Sequence, residues 1–328
     1  MKTLVTGADG FIGSHLIEEL VIDGHNVKAF CYYNSFNHTG WLENLDKSIL
    51  SQIEIIFGDV RDFWSIKNAL KNCDNVFNLA ALIGIPYSYT APGEYIETNV
   101  KGALNILQAI REKMNCKLIQ LSTSEVYGSA QFVPMSEDHP LNPQSPYAAS
   151  KVASDSLAIS YHKSFNLPII VARPFNTYGP RQSLRAVIPT IISQIMSKTK
   201  KIKLGVTDTL RDFTYVKDTA RGLIEISKSK KSIGQTINIG SNFEISIEQI
   251  VNTVSELLET KIQIIRDKKR IRPKNSEVNR LKACNKKIKK LTNWKPNYVG
   301  IRGFKNGIKE TIEWFRHNNI RESSRYNV

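Results

Sequence analysis

Long apolar runs are missing from this sequence, and none approaches the roughly 18–20 residues that a helix needs to span a bilayer. A helical membrane protein is therefore excluded. Cysteine is scarce: Cys31, Cys73, Cys116 and Cys284 are scattered, with no CxxC pair and no nearby histidine spacing. Neither a zinc site nor a disulfide framework is expected, and no other metal site is indicated; reduced thiols fit this pattern. The chain enters directly into MKTLVTG, without a charged n-region, a long apolar stretch or a cleavage site, so cytoplasmic residence is the expectation. Aromatics are absent from the basic clusters at 197–203, 227–231 and 285–290. Despite a net charge of +15, these read as solvated faces rather than nucleic-acid contacts. A positive field of that size suits a small anionic substrate.

What is present is a regular alternation. Strand-like runs at 2–7, 26–33, 53–59, 75–81, 117–122 and 167–174 are rich in β-branched residues. Helical patterns at 11–24, 98–113 and 145–165 separate several of them. This order predicts an α/β fold with a parallel sheet covered on both faces. After about residue 175 the alternation lapses. Helices are expected at 186–198, 245–260 and 307–318, and short strands at 235–240 and 261–266. This half should form mainly a smaller lobe (176–328) beside a first domain (1–175), with 235–240 returning to the first sheet. The final RESSRYNV is expected to fray.

TGADGFIG (6–13) joins the first strand to the first helix, and Gly7, Gly10 and Gly13 have the spacing GxxGxxG. Glycine allows the tight turn and the close approach of backbone N–H groups to a pyrophosphate at the helix N-terminus. A ribose-binding acid is expected about 20 residues further on. That region reads FCYYNSFN, with no Asp or Glu before Glu43 and no Arg for a 2′-phosphate. The choice between NAD and NADP stays open. Asp59, after the third strand, is well placed to meet an adenine amino group.

YAASK (147–151) sets Tyr147 and Lys151 four residues apart, on one helical face. A phenol is a poor base at neutral pH, but a neighbouring ammonium and a cationic nicotinamide would stabilise its phenolate. Tyr147 could then take a proton from a sugar hydroxyl as hydride leaves the same carbon. Between the two motifs lies STSEVYG (122–128), two hydroxyls and a carboxylate at the end of the fifth strand.

With these motifs in order, the chain resembles the extended short-chain dehydrogenases/reductases, the nucleotide-sugar epimerases and dehydratases. TNVKG (98–102), RPFNTYGPRQ (173–182) and RDFTYVKD (211–218) carry the likeness further. The resemblance implies a Rossmann-type doubly wound parallel sheet with a smaller C-terminal α/β substrate lobe. It also implies a tightly bound NAD or NADP that is regenerated in each cycle. The cofactor contacts would come from Gly7, Asp9, Gly10, Phe11, Ile12 and Gly13 in the glycine loop. Further contacts would come from Asp59 and Val60, from Leu79, Ala80 and Ala81, and from Asn99, Tyr147 and Lys151. Thr123 would bind the sugar hydroxyls beside Tyr147, and Asn176 would lie near the substrate diphosphate. The helices at 98–113 and 145–165 are the candidates for a four-helix homodimer interface. NSFNHTGWLENL (34–45), NLAALIGIPYSYTAP (78–92), NTYGPRQSLRAVIPTII (176–192) and SEVNRL (276–281) look like the 4,6-dehydratases of the legionaminic-acid type. Those act on GDP- or UDP-activated N-acetylglucosamine. The GDP-mannose 4,6-dehydratases share the SFN piece and Thr-Ser-Glu, and several of them use NADP, which tilts the open cofactor choice slightly toward NADP.

Glu125 separates the reactions. A 4-epimerase removes and returns hydride at C4 and needs no carboxylate base. A 4,6-dehydratase must also remove the C5 proton as water leaves C6, and Glu125 is the candidate for that base. Many dTDP-glucose 4,6-dehydratases carry Asp where Ser124 stands, and that Asp is their acid at C6. Here either Glu125 passes on the proton taken from C5, or a water held by Ser124 supplies one. UDP-glucuronate decarboxylases share TSEVYG and NTYGPR, so decarboxylation is the rival reading, with 4-epimerisation beside it. A decarboxylase would want a cation for the sugar carboxylate, for which Arg173, Arg181 and Arg185 are nearby in sequence. Arg211 and Arg280 are expected to grip the diphosphate, where bidentate guanidinium contacts suit anionic oxygens.

Overall fold

The computed structural model describes residues 1–318 apart from Met114, Lys198 and Arg272, so the fraying expected of RESSRYNV lies outside the described residues. The first elements are β1 (Lys2–Thr6), α1 (Phe11–Ile22), β2 (Asn26–Tyr32), α2 (Lys47–Leu50), β3 (Ile53–Gly58), α3 (Phe63–Ala69) and β4 (Asn75–Asn78). Next come α4 (Ile85–Thr90), α5 (Pro92–Tyr95), a π-helical turn (Ile96–Lys101), α6 (Gly102–Lys113), β5 (Lys117–Leu121), α7 (Pro146–Phe165) and β6 (Ile169–Pro174). The remainder holds β7 (Asn176–Tyr178), α8 (Val187–Met196), β8 (Lys201–Leu204), β9 (Leu210–Tyr215), α9 (Val216–Lys228) and β10 (Thr236–Ile239). It ends with β11 (Glu244–Ser246), α10 (Ile247–Leu257), β12 (Gln263–Arg266), α11 (Lys286–Leu291) and α12 (Gly300–His317).

Seven strands form one sheet in the order β10-β6-β5-β4-β1-β2-β3, every neighbouring pair parallel. The order reverses between β1 and β4, the point at which ligands sit beyond the carboxyl ends of the strands in folds of this kind. One face is covered by α1 and α9, whose Leu16, Ile17, Leu20, Leu223 and Ile224 join a single core with Ile119 and Ile237. The other is covered by α3, α6 and α7 through Ile66, Ile106, Ile110 and Ala158. A third core lies outside the large sheet. There α8, α10 and α12 bury Ile191, Val254 and Ile308 against Tyr178, Phe213 and Tyr215 of a small sheet ordered β11-β9-β7. Among the described residues no helix is long and apolar enough to cross a membrane.

Local signals place the helix that carries the YAASK motif. The Ser145 side chain accepts the Ala148 N–H and Pro146 occupies the first turn, so α7 starts where an N-cap and a proline dictate. α10 opens on a reciprocal Ser246–Gln249 capping box.

Several short elements, among them α3, α4, α11, β7, β9 and β11, have no counterpart in the sequence expectation, and three further differences matter more. α9 has no sequence counterpart: it opens on Tyr215, without a side-chain cap, straight after β9. Within the lysine cluster at 197–203 the solvated face is interrupted, because β8 alternates Lys201 and Lys203 outward with Ile202 and Leu204 inward. The helix expected at 98–113 is joined to α5 through the π turn, and this extra residue per turn carries Asn99 inward.

Candidate active site

The glycine loop has the shape of a phosphate cradle. Gly7 has φ +64°, and a Cβ there would lie 2.8 Å from the Ala80 nitrogen. A Cβ on Gly13 would overlap the Gly7 carbonyl oxygen, so neither position admits a side chain without moving backbone. Gly10 precedes α1 without any side-chain cap, and Phe11, Ile12 and Gly13 open the helix. The first-turn N–H groups are thus left for an anion, and the loop fits a dinucleotide pyrophosphate. The wall opposite is set by β4: Leu79 N–H donates to Thr6 O (3.2 Å) and Ala80 N–H to Thr6 Oγ1 (3.2 Å), with Ala81 next in line. Asn99 is buried and fixes that wall. It accepts from Leu82 N–H (2.8 Å) and donates to Leu82 O (3.0 Å) and to Ser150 Oγ on α7 (2.9 Å). Asp59 is engaged by Arg61, whose Nε and Nη2 donate at 2.9 and 2.7 Å, and Val60 is buried against Gly102.

Thr123, Glu125 and Tyr147 come together at the carboxyl end of β5. Thr123 caps a short 3₁₀ turn, its Oγ1 accepting Glu125 N–H at 3.2 Å. Burial pushes the Tyr147 phenol well above its usual range, the Thr123 side-chain hydrogen bond pulls it back, and the neighbouring Glu125 charge raises it again. Ser124 is buried. Lys151 departs from the expected pairing with Tyr147: its Nζ donates to Leu121 O at 2.6 Å, and burial pushes the ammonium down to about 8 against the opposing pull of Asp155. The carbonyl at the strand end, two residues before Thr123, is the acceptor within reach of a lysine on the first turns of α7.

The arginines divide. Arg173 and Arg181, two of the three cations considered for a sugar carboxylate, are committed elsewhere. Arg173 Nε donates to Asp155 at 3.0 Å and its Nη1 to Tyr127 OH at 3.0 Å. Arg181 makes a two-pronged contact with Glu18 on α1, 2.9 Å on each arm. Arg185 is exposed, beside Gly84 and Tyr95, and makes no ion pair among the described residues. Of the expected diphosphate ligands, Arg211 is buried and held by Glu277 (3.2 Å) and Val278 O, and Arg280 is held by Glu244 at 2.7 and 2.5 Å. Asn176 has a buried side-chain oxygen without a hydrogen-bond partner among the described residues.

Several residues of the site gave no local signal. Tyr95 is buried edge-on to Tyr147, ring centroids 6.3 Å apart, and donates to Gly84 O at 2.5 Å. Tyr89 meets Ser276 at 2.5 Å, tying α4 to the 274–276 turn. Asp155 stands one helical turn beyond Lys151, in the series 147, 151, 155 along one face of α7. Only that helical spacing could have pointed to it.

A parallel sheet with its switch point over a glycine turn, and a tyrosine–lysine helix at the same edge, is the arrangement of an extended short-chain dehydrogenase/reductase. Comparison with known proteins narrows the class. The chain belongs to the GDP-mannose 4,6 dehydratase family, whose profile matches residues 4–311, and so to the nucleotide-sugar dehydratases and their epimerase and decarboxylase relatives. It is 32% identical over 325 residues to the dTDP-D-glucose 4,6-dehydratase of Homo sapiens, covering 97% of this chain and 90% of the human one. It is 33% identical over 326 residues to the UDP-N-acetyl-alpha-D-glucosaminuronate decarboxylase of Bacillus cytotoxicus, covering 96% and 98%. The crystal structure of dTDP-glucose 4,6-dehydratase from Bacillus anthracis in complex with NAD superposes with a TM-score of 0.83 at 28% identity, covering 97% of each chain.

Proposed function

We propose that this protein is a 4,6-dehydratase of a nucleotide-diphosphate N-acetylhexosamine, GDP- or UDP-linked, of the legionaminic-acid type, giving a 4-keto-6-deoxy sugar. The observation that carries the reading is the carboxylate of Glu125 beside the Thr123–Tyr147 pair, a base that C4 epimerisation alone does not need. The solved dehydratase with NAD supports a nicotinamide cofactor on the Gly7–Gly13 loop. When bound there, that cofactor would supply the hydride acceptor for C4 and the hydride donor for C6. The decarboxylase relative, by name a protein for an N-acetylated sugar, supports the N-acetylhexosamine.

The side chains divide the proton transfers. Tyr147, hydrogen-bonded to Thr123, takes the proton of the C4 hydroxyl. Lys151, one helical turn further along α7 and anchored on Leu121 O, would supply the positive charge that a phenolate at Tyr147 needs. With C4 a ketone, the C5 proton becomes acidic and Glu125 removes it. Protonated Glu125 then passes that proton to the departing C6 hydroxyl, so water leaves; buried Ser124 lines the turn without acting as acid. After hydride returns to C6, C5 takes a proton from solvent, and the net change is the loss of one water. The nucleotide diphosphate would take its contacts from Asn176 and from Arg211 and Arg280, which would exchange Glu277 and Glu244 for its oxygens. A homodimer through α6 and α7, in the cytoplasm, completes the reading.

Incubation with GDP- or UDP-N-acetylglucosamine tests it: the product mass should fall by one water, and in deuterated solvent C5 should carry deuterium. Glu125→Gln should stop water loss while C4 oxidation still shows as reduced cofactor. Normal turnover by that variant would place the base elsewhere.

Decarboxylation is the second reading, favoured by Arg185, a cation beside Tyr95 that could receive a sugar carboxylate. Release of CO2 from a UDP-uronate, with no water loss from any nucleotide N-acetylhexosamine, would establish it instead.

A further inference from the structure

The end of β2 lacks the acid that would hold the adenosine ribose, and no side chain after it supplies one. Tyr32 and Tyr33 are exposed, Asn34 turns back to cap its own loop through His38 N–H and Phe36 N–H, and Glu43 is occupied by His38 and Thr39. A carboxylate nevertheless stands at that strand end. Asp9, in the glycine loop, accepts the Tyr32 backbone N–H on its Oδ2 at 3.3 Å. Its backbone is clamped from above: Trp41 N–H donates to Asp9 O at 3.0 Å, and Gly40, at φ +57°, packs where any Cβ would lie 3.0 Å from the Asp9 Cβ. The carboxylate is therefore held between the phosphate cradle and the last residue of β2, at the place where a ribose hydroxyl would donate to it.

We propose that Asp9 is the ribose acid of this chain, taking the 2′-hydroxyl of the adenosine ribose from the glycine loop instead of from β2, and that it sets a preference for NAD over NADP. The inference rests on the nicotinamide cofactor and is independent of the sugar. A 2′-phosphate would bring two negative charges against Asp9 in a partly desolvated position. The arginine that reaches this strand end offers no relief. Arg61 reaches the Tyr32 hydroxyl at 3.4 Å, but its guanidinium is neutralised by Asp59 at 2.7–3.1 Å and faces Glu94 at 3.4 Å. A hydrogen bond to a charged acceptor contributes enough for roughly ten- to a hundredfold in affinity.

The test is direct binding. Protein stripped of cofactor is titrated with NAD and with NADP by calorimetry, and the cofactor released from protein as purified is identified by mass. Wild-type protein should release NAD and bind it at least tenfold tighter than NADP. Asp9→Asn should lose roughly tenfold or more in NAD affinity while NADP binding holds or improves, so that the ratio collapses. Asp9→Glu, which keeps the charge, should continue to reject NADP. Wild-type protein that binds NADP as tightly as NAD overturns the proposal, and so does a folded Asp9→Asn that keeps the wild-type ratio. If Asp9→Asn fails to fold, the wild-type ratio and Asp9→Glu decide the matter.

Discussion

Asp155 and Arg173 meet at 3.0 Å beneath α7 with side chains no more than 5% exposed, and the same carboxylate accepts from Ser122 Oγ at 2.8 Å. One end of this pair is a helical turn from Lys151 and the other is on β6, so it ties the helix bearing Tyr147 to the sheet that ends in Thr123. Breaking a buried pair leaves an uncompensated charge, at a cost of about 3–5 kcal/mol. Arg173→Met should lower the free energy of urea unfolding by that amount. A change below about 1 kcal/mol would show that the pair contributes nothing to stability.

Lys151 makes a trade between stability and chemistry. Burial pushes its ammonium from 10.5 down to about 8. Between those values the unfolded chain binds a proton that the folded chain has released, so stability rises as pH rises through that window. Lys151→Met removes the buried charge and the bond to Leu121 O together. At pH 7 it should be more stable than wild type by about 1–2 kcal/mol, and this advantage should shrink by pH 10. Turnover should be lost at every pH. Thermal melts across that range, compared with activity, check both halves.

Glu18 gives the opposite pH dependence. Burial alone would raise its carboxyl, but the hydrogen bond from His15 and the paired guanidinium of Arg181 hold it down at about 2, against an ordinary 4.5. The stabilisation is fully present above the unfolded value and is lost as pH falls from there toward 2. Glu18→Gln should melt below wild type at pH 6, and the gap should narrow steadily as pH falls below about 4.5. A gap independent of pH would assign the effect to packing alone.

Gly13→Ala should empty the cradle. The new methyl has no space beside the Gly7 carbonyl, so the turn must open. Purified variant protein should carry little or no cofactor while its far-ultraviolet circular dichroism stays close to wild type. Full cofactor occupancy would show that the loop tolerates the shift.

Arg185→Ala separates the two proposed reactions. If the protein is a dehydratase, the variant should change KM by less than about tenfold and leave kcat nearly intact, since no anion at C5 needs the guanidinium. If it decarboxylates a uronate, kcat/KM should fall by roughly a hundredfold or more, the loss of a charge-assisted bidentate contact.

Much of the site was legible because its signals are local. The glycine turn, the Tyr147–Lys151 spacing and the Thr123–Glu125 cluster each lie within a few residues of sequence, next to strand ends that β-branched runs announce. What escaped required distant residues to meet. Tyr95 packs on Tyr147 across a gap of 52 positions between the two numbers, and Arg61 reaches the Tyr32 hydroxyl from the turn after β3. The arginines show the limit most clearly. Arg173, Arg181 and Arg185 look equivalent along the chain, and only tertiary structure reveals that Asp155 and Glu18 have claimed two of them. α9 was missed for a related reason. Its N-terminal Asp218 reads as solvent-facing but is buried, accepting the backbone N–H groups of Asn297 and Tyr298 from the far end of the chain.

The π turn at Ile96–Lys101 carries a consequence for insertions and deletions in this chain. A π turn holds one residue more than an α-helical one. Losing a single residue from it would restore regular pitch and swing the segment before it by about 100° relative to α6. Asn99 would then leave the Leu82 loop and Ser150, and the wall that faces the glycine loop would lose its anchor. Chain length between Tyr95 and Gly102 is therefore as constrained as the identity of any side chain in the cleft, and point substitutions should be accepted there far more readily than a change in residue count.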